Sequence, residues 1–135
     1  MSTSPLRLLF VCVENSNRSQ MAEAFARMAG GEGVAAYSAG SRPSGVVNPR
    51  AIASMREIGY DLTTHRSKSL AEVPEVEFDA AVTLGCGDAC PHVRARRRED
   101  WPIPDPREMP PDAFCQVRDL IQQHVRRLLA TLAAD

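Results

Sequence analysis

Leu6-Arg7-Leu8-Leu9-Phe10-Val11-Cys12-Val13-Glu14-Asn15-Ser16-Asn17-Arg18-Ser19-Gln20-Met21-Ala22 holds a strand, a polar loop and the start of a helix, and its reading decides the fold. Leu6–Val13 alternates little and is rich in Leu, Val and Phe. That is the pattern of a strand buried on both faces, the parallel-sheet type. Over Gln20–Met28, the residues Met21, Ala22, Phe25 and Met28 recur at helical spacing, and Gly30-Gly31 ends the helix.

The same alternation of strand and helix continues outward. Gly33–Ser38 reads as a second strand, broken by Ala39-Gly40-Ser41. Asn48-Pro49 is a helix start, with Asn as cap and Pro in the first turn, and the helix runs to about Ile58 before Gly59. Phe78–Leu84 is a third apolar strand, and Arg98–Ile103 is a weaker fourth that Pro104 cuts off. From Pro110 or Pro111 to about Ala133 the chain is one amphipathic helix, with Phe114, Val117, Leu120, Ile121, Val125, Leu128, Leu129 and Leu132 on its apolar side. The expectation is an α/β fold: a single domain spanning 1–135, with a four-stranded, mainly parallel sheet flanked by helices. In such a sheet ligands sit beyond the carboxyl ends of the strands. Cys12, Cys86 and Asp105 follow the first, third and fourth strands and are expected along one rim.

The 135 residues suffice for one core, and 44% of them are hydrophobic. A net charge of −1 gives no reason to expect nucleic acid or an anionic membrane as partner. The dense basic run Arg94–Arg98 reads as a solvated helix face. No signal peptide or transmembrane stretch is visible, so a cytoplasmic protein with reduced thiols is expected. No glycine-rich nucleotide loop is present, and no cofactor is expected.

Cysteine and arginine five residues apart, between a strand and a helix, suit nucleophilic attack on a tetrahedral oxyanion. Loop amides and a helix N-terminus stabilise a thiolate and an anion alike. Val13, Glu14, Asn15, Ser16, Asn17 and Arg18 would form the cradle. Arg18 offers a planar fork to two oxygens, and Ser19 can donate to the Cys12 sulfur. Asn15 tolerates the left-handed backbone a tight loop requires. Glu14 brings a negative charge into the loop. It favours the competing reading, an oxyanion sensor without turnover, unless its side chain points outward. Asp105, framed by Pro104 and Pro106, is a candidate general acid, although Asp beside Pro commonly marks a turn. Cys86 and Cys90 are candidates for thiol–disulfide exchange. Metal binding by Cys86, Cys90 and His92 lacks a fourth ligand and the paired spacing of zinc sites. Cys115 reads as packed, His65 as solvated and His124 as surface.

Leu9 through Glu23 resembles the signature of the low-molecular-weight protein tyrosine phosphatase superfamily. Arg18-Ser19-Gln20-Met21-Ala22-Glu23 is more similar to its arsenate reductase branch, because the phosphatase branch has proline where Gln20 stands. The resemblance continues through Tyr37-Ser38-Ala39-Gly40, Asn48-Pro49-Arg50-Ala51, Val82-Thr83-Leu84 and Asp105-Pro106. It implies an arsenate reductase in which Cys12 attacks arsenic, Asp105 is the general acid and a thiol completes the reduction. The alternative it implies is a phosphatase acting on phosphotyrosine or a small phosphoester. Gly85 stands where the thioredoxin-coupled branch has its first resolving cysteine. The Gly85–Pro91 stretch is more similar to the branch that uses a small thiol such as mycothiol; glutathione and a thioredoxin-type donor are the other reductants considered. Where the phosphatase branch has a tyrosine soon after Asp-Pro, Arg107 follows Pro106. Some arsenate reductases bind potassium beside the loop; Asn15, Glu23 and Ser38 match three of the ligands, and Lys68 occupies the place of the fourth. Its ammonium is expected to stand in for the metal.

Overall fold

The computed structural model describes residues 4–85 and 93–134. Seven principal elements follow one another: β1 (Leu6–Cys12), α1 (Arg18–Gly30), β2 (Val34–Gly40), α2 (Pro49–Arg56), β3 (Ala80–Leu84), β4 (Arg98–Trp101) and α3 (Pro111–Ala134). The sheet order is β2-β1-β3-β4, and every pairing is parallel. With β1 flanked by β2 on one side and β3 on the other, the order reverses beside its carboxyl end. That is where an open parallel sheet leaves a crevice.

β1 buries both faces, as its unbroken apolar run requires. Leu8 and Phe10 join a core cluster with Met21 and Phe25 of α1, Met55 of α2, and Phe114, Ile121 and Leu128 of α3. Leu9 and Val11 face the other way, against Ala39, Val73 and Phe78. Each such large apolar side chain contributes about 1.5–3 kcal/mol by leaving water. Trp101 belongs to the first cluster and packs on Phe10 with ring centroids 5.9 Å apart.

Local signals account for the helix ends. The Asn48 side chain accepts a hydrogen bond from the Arg50 N–H at 2.8 Å, with Pro49 in the first turn. Gly31 adopts φ +53° after α1, and its N–H bonds the Arg27 carbonyl. Helix α1 begins two residues earlier than its apolar periodicity indicates, because Arg18 and Ser19 are polar yet already helical. Strand β4 stops at Trp101, since Pro102 has no N–H to give to the ladder.

The basic run corrects the sequence reading. Residues 94–98 are extended, not helical, and Arg94, Ala95, Arg96, Arg97 and Arg98 alternate between exposed and half-buried. The Phe78 N–H bonds the Arg94 carbonyl and the Arg96 N–H bonds the Phe78 carbonyl, each at 2.9 Å. Pairing with the chain ahead of β3 draws the arginines into the approach to an edge strand. His124 is likewise not a simple surface residue: its ring stacks on Trp101 at 5.0 Å.

Gly40 ends β2 against the loop after β1. A Cβ there would lie 2.5 Å from the Val13 carbonyl oxygen and 3.0 Å from the Asn15 nitrogen. Both are backbone atoms with no rotamer to yield. Gly40→Ala is expected to cost about 1–3 kcal/mol in chemical denaturation. An unchanged denaturation midpoint would show that the loop has room to give.

Candidate oxyanion site

Residues 13–17 form the turn between β1 and α1, and each of their carbonyls is tied to an outside partner. The Val13 carbonyl accepts from the Arg42 N–H at 2.8 Å, Glu14 from Ser44 N–H at 3.1 Å and Ser67 Oγ at 2.9 Å, Asn15 from Gln20 Nε2 at 3.0 Å, Ser16 from Asn48 N–H at 3.0 Å and Asn17 from Met21 N–H at 3.0 Å. In a trans peptide the next residue's N–H points opposite to the carbonyl. With the carbonyls of 13–17 held outward, the N–H groups of 14–18 turn the other way. The N-terminus of α1 adds its own unbonded N–H groups and dipole.

On that side lies a cavity of about 210 Å³ lined by Cys12, Val13, Glu14, Ser16, Asn17 and Arg18, with Asp105 and Arg107 from the segment after β4. The topology therefore brings Cys12 and Asp105, two of the three residues expected there, to one rim together with Arg18. Larger grooves lie elsewhere, around Leu70–Phe78 and around Asp79. Among the described residues they gather no cysteine, whereas the smaller cavity holds Cys12. Cys86, Cys90 and His92 lie outside the described residues.

Asn15 organises the loop from behind. It is fully buried with φ +51°, the left-handed value its amide side chain allows. Its Oδ1 accepts from the Lys68 backbone N–H at 3.0 Å. An N–H only donates, so that contact fixes the amide orientation. Nδ2 must then face Ser19 Oγ, 2.8 Å away, as a donor. Ser19 Oγ lies 2.9 Å from Cys12 Sγ. Since Ser19 Oγ accepts from Asn15, its own proton is free to be donated to a Cys12 thiolate, which can only accept.

Gln20 extends the same logic. Its Nε2 donates to the carbonyls of Asn15 and Arg66 and to Asn15 Oδ1 at 2.9–3.0 Å. Oε1 therefore accepts from His65 Nδ1 at 2.9 Å. His65 thus carries its proton on Nδ1, and its Nε2 accepts from Tyr60 Oη at 2.6 Å. The side chain is 2% exposed, which corrects the expectation of a solvated histidine: a polar network draws it in. Burial pushes its pKa down, against the smaller upward pull of the Glu23 carboxylate. Sequence reasoning missed this role of Gln20 and His65. The available signal was a polar residue, Gln20, directly before the inward-facing Met21.

Glu23 is buried and fully engaged. Ser38 Oγ donates to Oε1 at 2.5 Å, Arg27 pairs with Oε2 at 2.7 Å, and Lys68 Nζ stands 3.8 Å from Oε1. Burial lowers the Lys68 pKa, opposed by Glu23.

Arg18 and Gly85 share one space. Arg18 Nη1 donates to the Ile103 carbonyl at 2.8 Å. Gly85 has φ +74°, and a Cβ on it would stand 2.5 Å from Arg18 Nη1 and 2.7 Å from the Ile103 oxygen. Any side chain at 85 would displace the guanidinium, which explains the glycine here.

Asp105 is held by its own turn: Oδ1 accepts from the Arg107 N–H at 3.0 Å. Arg50 steadies that turn, donating to the Arg107 carbonyl at 2.6 Å and to the Met109 carbonyl, while its guanidinium lies over the Phe114 ring. Arg107 reaches back to Glu14 at 2.5 Å, so the Glu14 carboxylate is paired at the mouth of the cavity that both residues line. Trp101, the aromatic nearest Asp105 in sequence, is core and does not line the cavity. Cys115 is half-buried beside Ser54 and Glu57.

The chain belongs to the low molecular weight phosphotyrosine protein phosphatase family, whose model matches residues 7–135. Within that family it is similar to named arsenate reductases. A glutaredoxin arsenate reductase from a Synechocystis species is 35% identical over 94% of this chain and 98% of its own length. An arsenate reductase from Staphylococcus aureus is 39% identical over 85% of this chain and 89% of its own. A solved structure described as an arsenate reductase in the phosphate-binding state superposes with a TM-score of 0.86 at 35% identity, covering 94% of this chain and 98% of that one.

Two outcomes follow from the network. Ser19→Ala removes the hydroxyl proton offered to Cys12, and alkylation of Cys12 by iodoacetamide near neutral pH should slow on the order of tenfold. Unfolded histidine takes a proton as pH falls through 6.5, whereas buried His65 resists it. The unfolded chain then holds more protons, so stability drops as pH falls below 6.5. In His65→Gln the melting temperature should depend less on pH in that range; an equal slope would remove His65 from the account.

Proposed function

We infer that this protein is an arsenate reductase. The observation that carries the reading is one small cavity that joins a cysteine, an inward amide turn, an arginine and an aspartate, in a chain similar over most of its length to named arsenate reductases. The Cys12 thiolate, supported by Ser19, attacks arsenic(V) and forms an S–As bond. Arg18 and the amides of 14–18 hold the remaining oxygens. Asp105 delivers a proton to the departing oxygen, which leaves as water.

The cycle then needs a second sulfur. Its thiolate attacks Cys12 Sγ, the S–As bond breaks, and its electron pair stays on arsenic. Arsenite leaves as arsenic(III), and two thiols have become one disulfide. Cys86, Cys90 or an external thiol of the mycothiol, glutathione or thioredoxin type supplies that sulfur. No helix among the described residues is long and apolar enough to cross a membrane.

The residues that would hold potassium do not fit a metal ion. Asn15 Oδ1 is filled by the Gln20 amide and the Lys68 N–H. The Glu23 carboxylate already answers to Ser38, Arg27 and Lys68. The Lys68 ammonium takes the place of the cation, and the melting temperature should be the same in potassium as in sodium chloride.

Single-turnover arsenite release by reduced protein without added thiol tests the main reading. Cys12→Ser should abolish release, and Asp105→Asn should slow it by about 10²-fold or more. Release by wild type that is lost in Cys86→Ser or Cys90→Ser identifies an internal second thiol. Release only on adding mycothiol, glutathione or thioredoxin identifies an external one. Rapid phosphotyrosine hydrolysis with no arsenite under any donor would reject the reductase in favour of the phosphatase.

A further inference from the structure

The mouth of the cavity carries an ion pair that the chemistry above leaves without a task. Arg107 Nη1 sits 2.5 Å from Glu14 Oε2, and Nη2 sits 3.6 Å from Asp105 Oδ2. The pair joins residues 93 apart in sequence and links the anion turn to the Asp105 segment. All three residues line the cavity.

Glu14 poses an electrostatic problem. A carboxylate on the rim of an anion cradle repels the ligand the cradle is built for. Arg107 cancels that charge from the opposite rim. Its position matters as well as its charge. A phosphoester held by the turn must direct its ester oxygen toward Asp105, the proton donor. The organic group on that oxygen must then leave past Asp105, where the Arg107 side chain stands. Among the described residues lining the cavity none is aromatic, so no wall is offered to an aryl ring. A free oxyanion has no such group and needs no exit.

We propose that Arg107 is a specificity-determining residue. By neutralising Glu14 and filling the exit beside Asp105, it admits a small free oxyanion and shuts out aryl phosphoesters. The proposal rests on the oxyanion reading of the cavity.

Calorimetric binding of inorganic phosphate to the full chain tests the charge half without any reductase step. Arg107→Gln leaves Glu14 uncompensated and should weaken phosphate about 3- to 10-fold, less so at high salt. Glu14→Gln with Arg107→Gln should return the affinity to within about twofold of wild type. A loss caused by disturbed folding or by a missing direct arginine–anion bond would persist in the double variant, and that persistence would overturn the proposal. Arg107→Tyr tests the steric half. Its kcat/KM on p-nitrophenyl phosphate should rise about tenfold, with phosphate binding weakened as in Arg107→Gln. Unchanged aryl phosphate hydrolysis would overturn the exclusion. Failure of the reductase reading is distinguishable, since wild type would then yield no arsenite with any donor while these binding differences stand.

Discussion

Everything at the active end depends on the outward anchoring of the carbonyls of residues 13–17. A loop of bare amides facing one cavity is not a conformation a free peptide holds, because its carbonyls would seek water in every direction. Here β2's continuation, α2's cap, the Ser67 hydroxyl, the Gln20 amide and the first turn of α1 each take one. The amides are aimed by what happens on the far side of the peptide planes. The cost of ordering the turn is met by distant parts of the fold before any ligand arrives, which is preorganisation in the electrostatic sense.

Behind the turn sits a second layer that is polar and buried. Tyr60, His65, Gln20 and Asn15 pass hydrogen bonds in one direction as far as Ser19, which touches Cys12, because backbone donors and acceptors at Lys68 and Arg66 fix the amide orientations. Glu23 is held in this interior by three partners. Such a network is stable only when complete, since a buried donor or acceptor left without a partner costs about 1–3 kcal/mol. This links the loop's rigidity to residues that never meet the ligand.

The front of the site follows the opposite rule. Glu14, Asp105 and Arg107 are substantially exposed, so their pairing is screened and adds little to stability. Its consequences are for which anion enters and how the acid is presented. Interior polar groups thus hold the shape of the cradle, and rim charges bias its choice of ligand.

The order of elements was legible in the sequence because each rests on near neighbours. The apolar run of β1, the Asn48-Pro49 cap and the heptad-like spacing of α3 are local patterns with local causes. The nucleophile and arginine were legible for the same reason: seven adjacent residues carry both. Residues 94–98 were misread because an edge strand takes its identity from its partner, here the chain ahead of β3, and not from its own composition. His65 was misread because a histidine becomes buried only when a tyrosine and a glutamine, 5 and 45 residues away, supply both ring nitrogens with partners. Local sequence pattern alone determined one α/β domain with a cysteine–arginine loop after its first strand. Tertiary structure decided where each loop carbonyl points, why Gly85 must be glycine beside Arg18, and that Arg107 pairs with Glu14 at the mouth of the cavity. Those are contacts between residues remote in sequence, and only the folded chain brings their atoms within bonding distance.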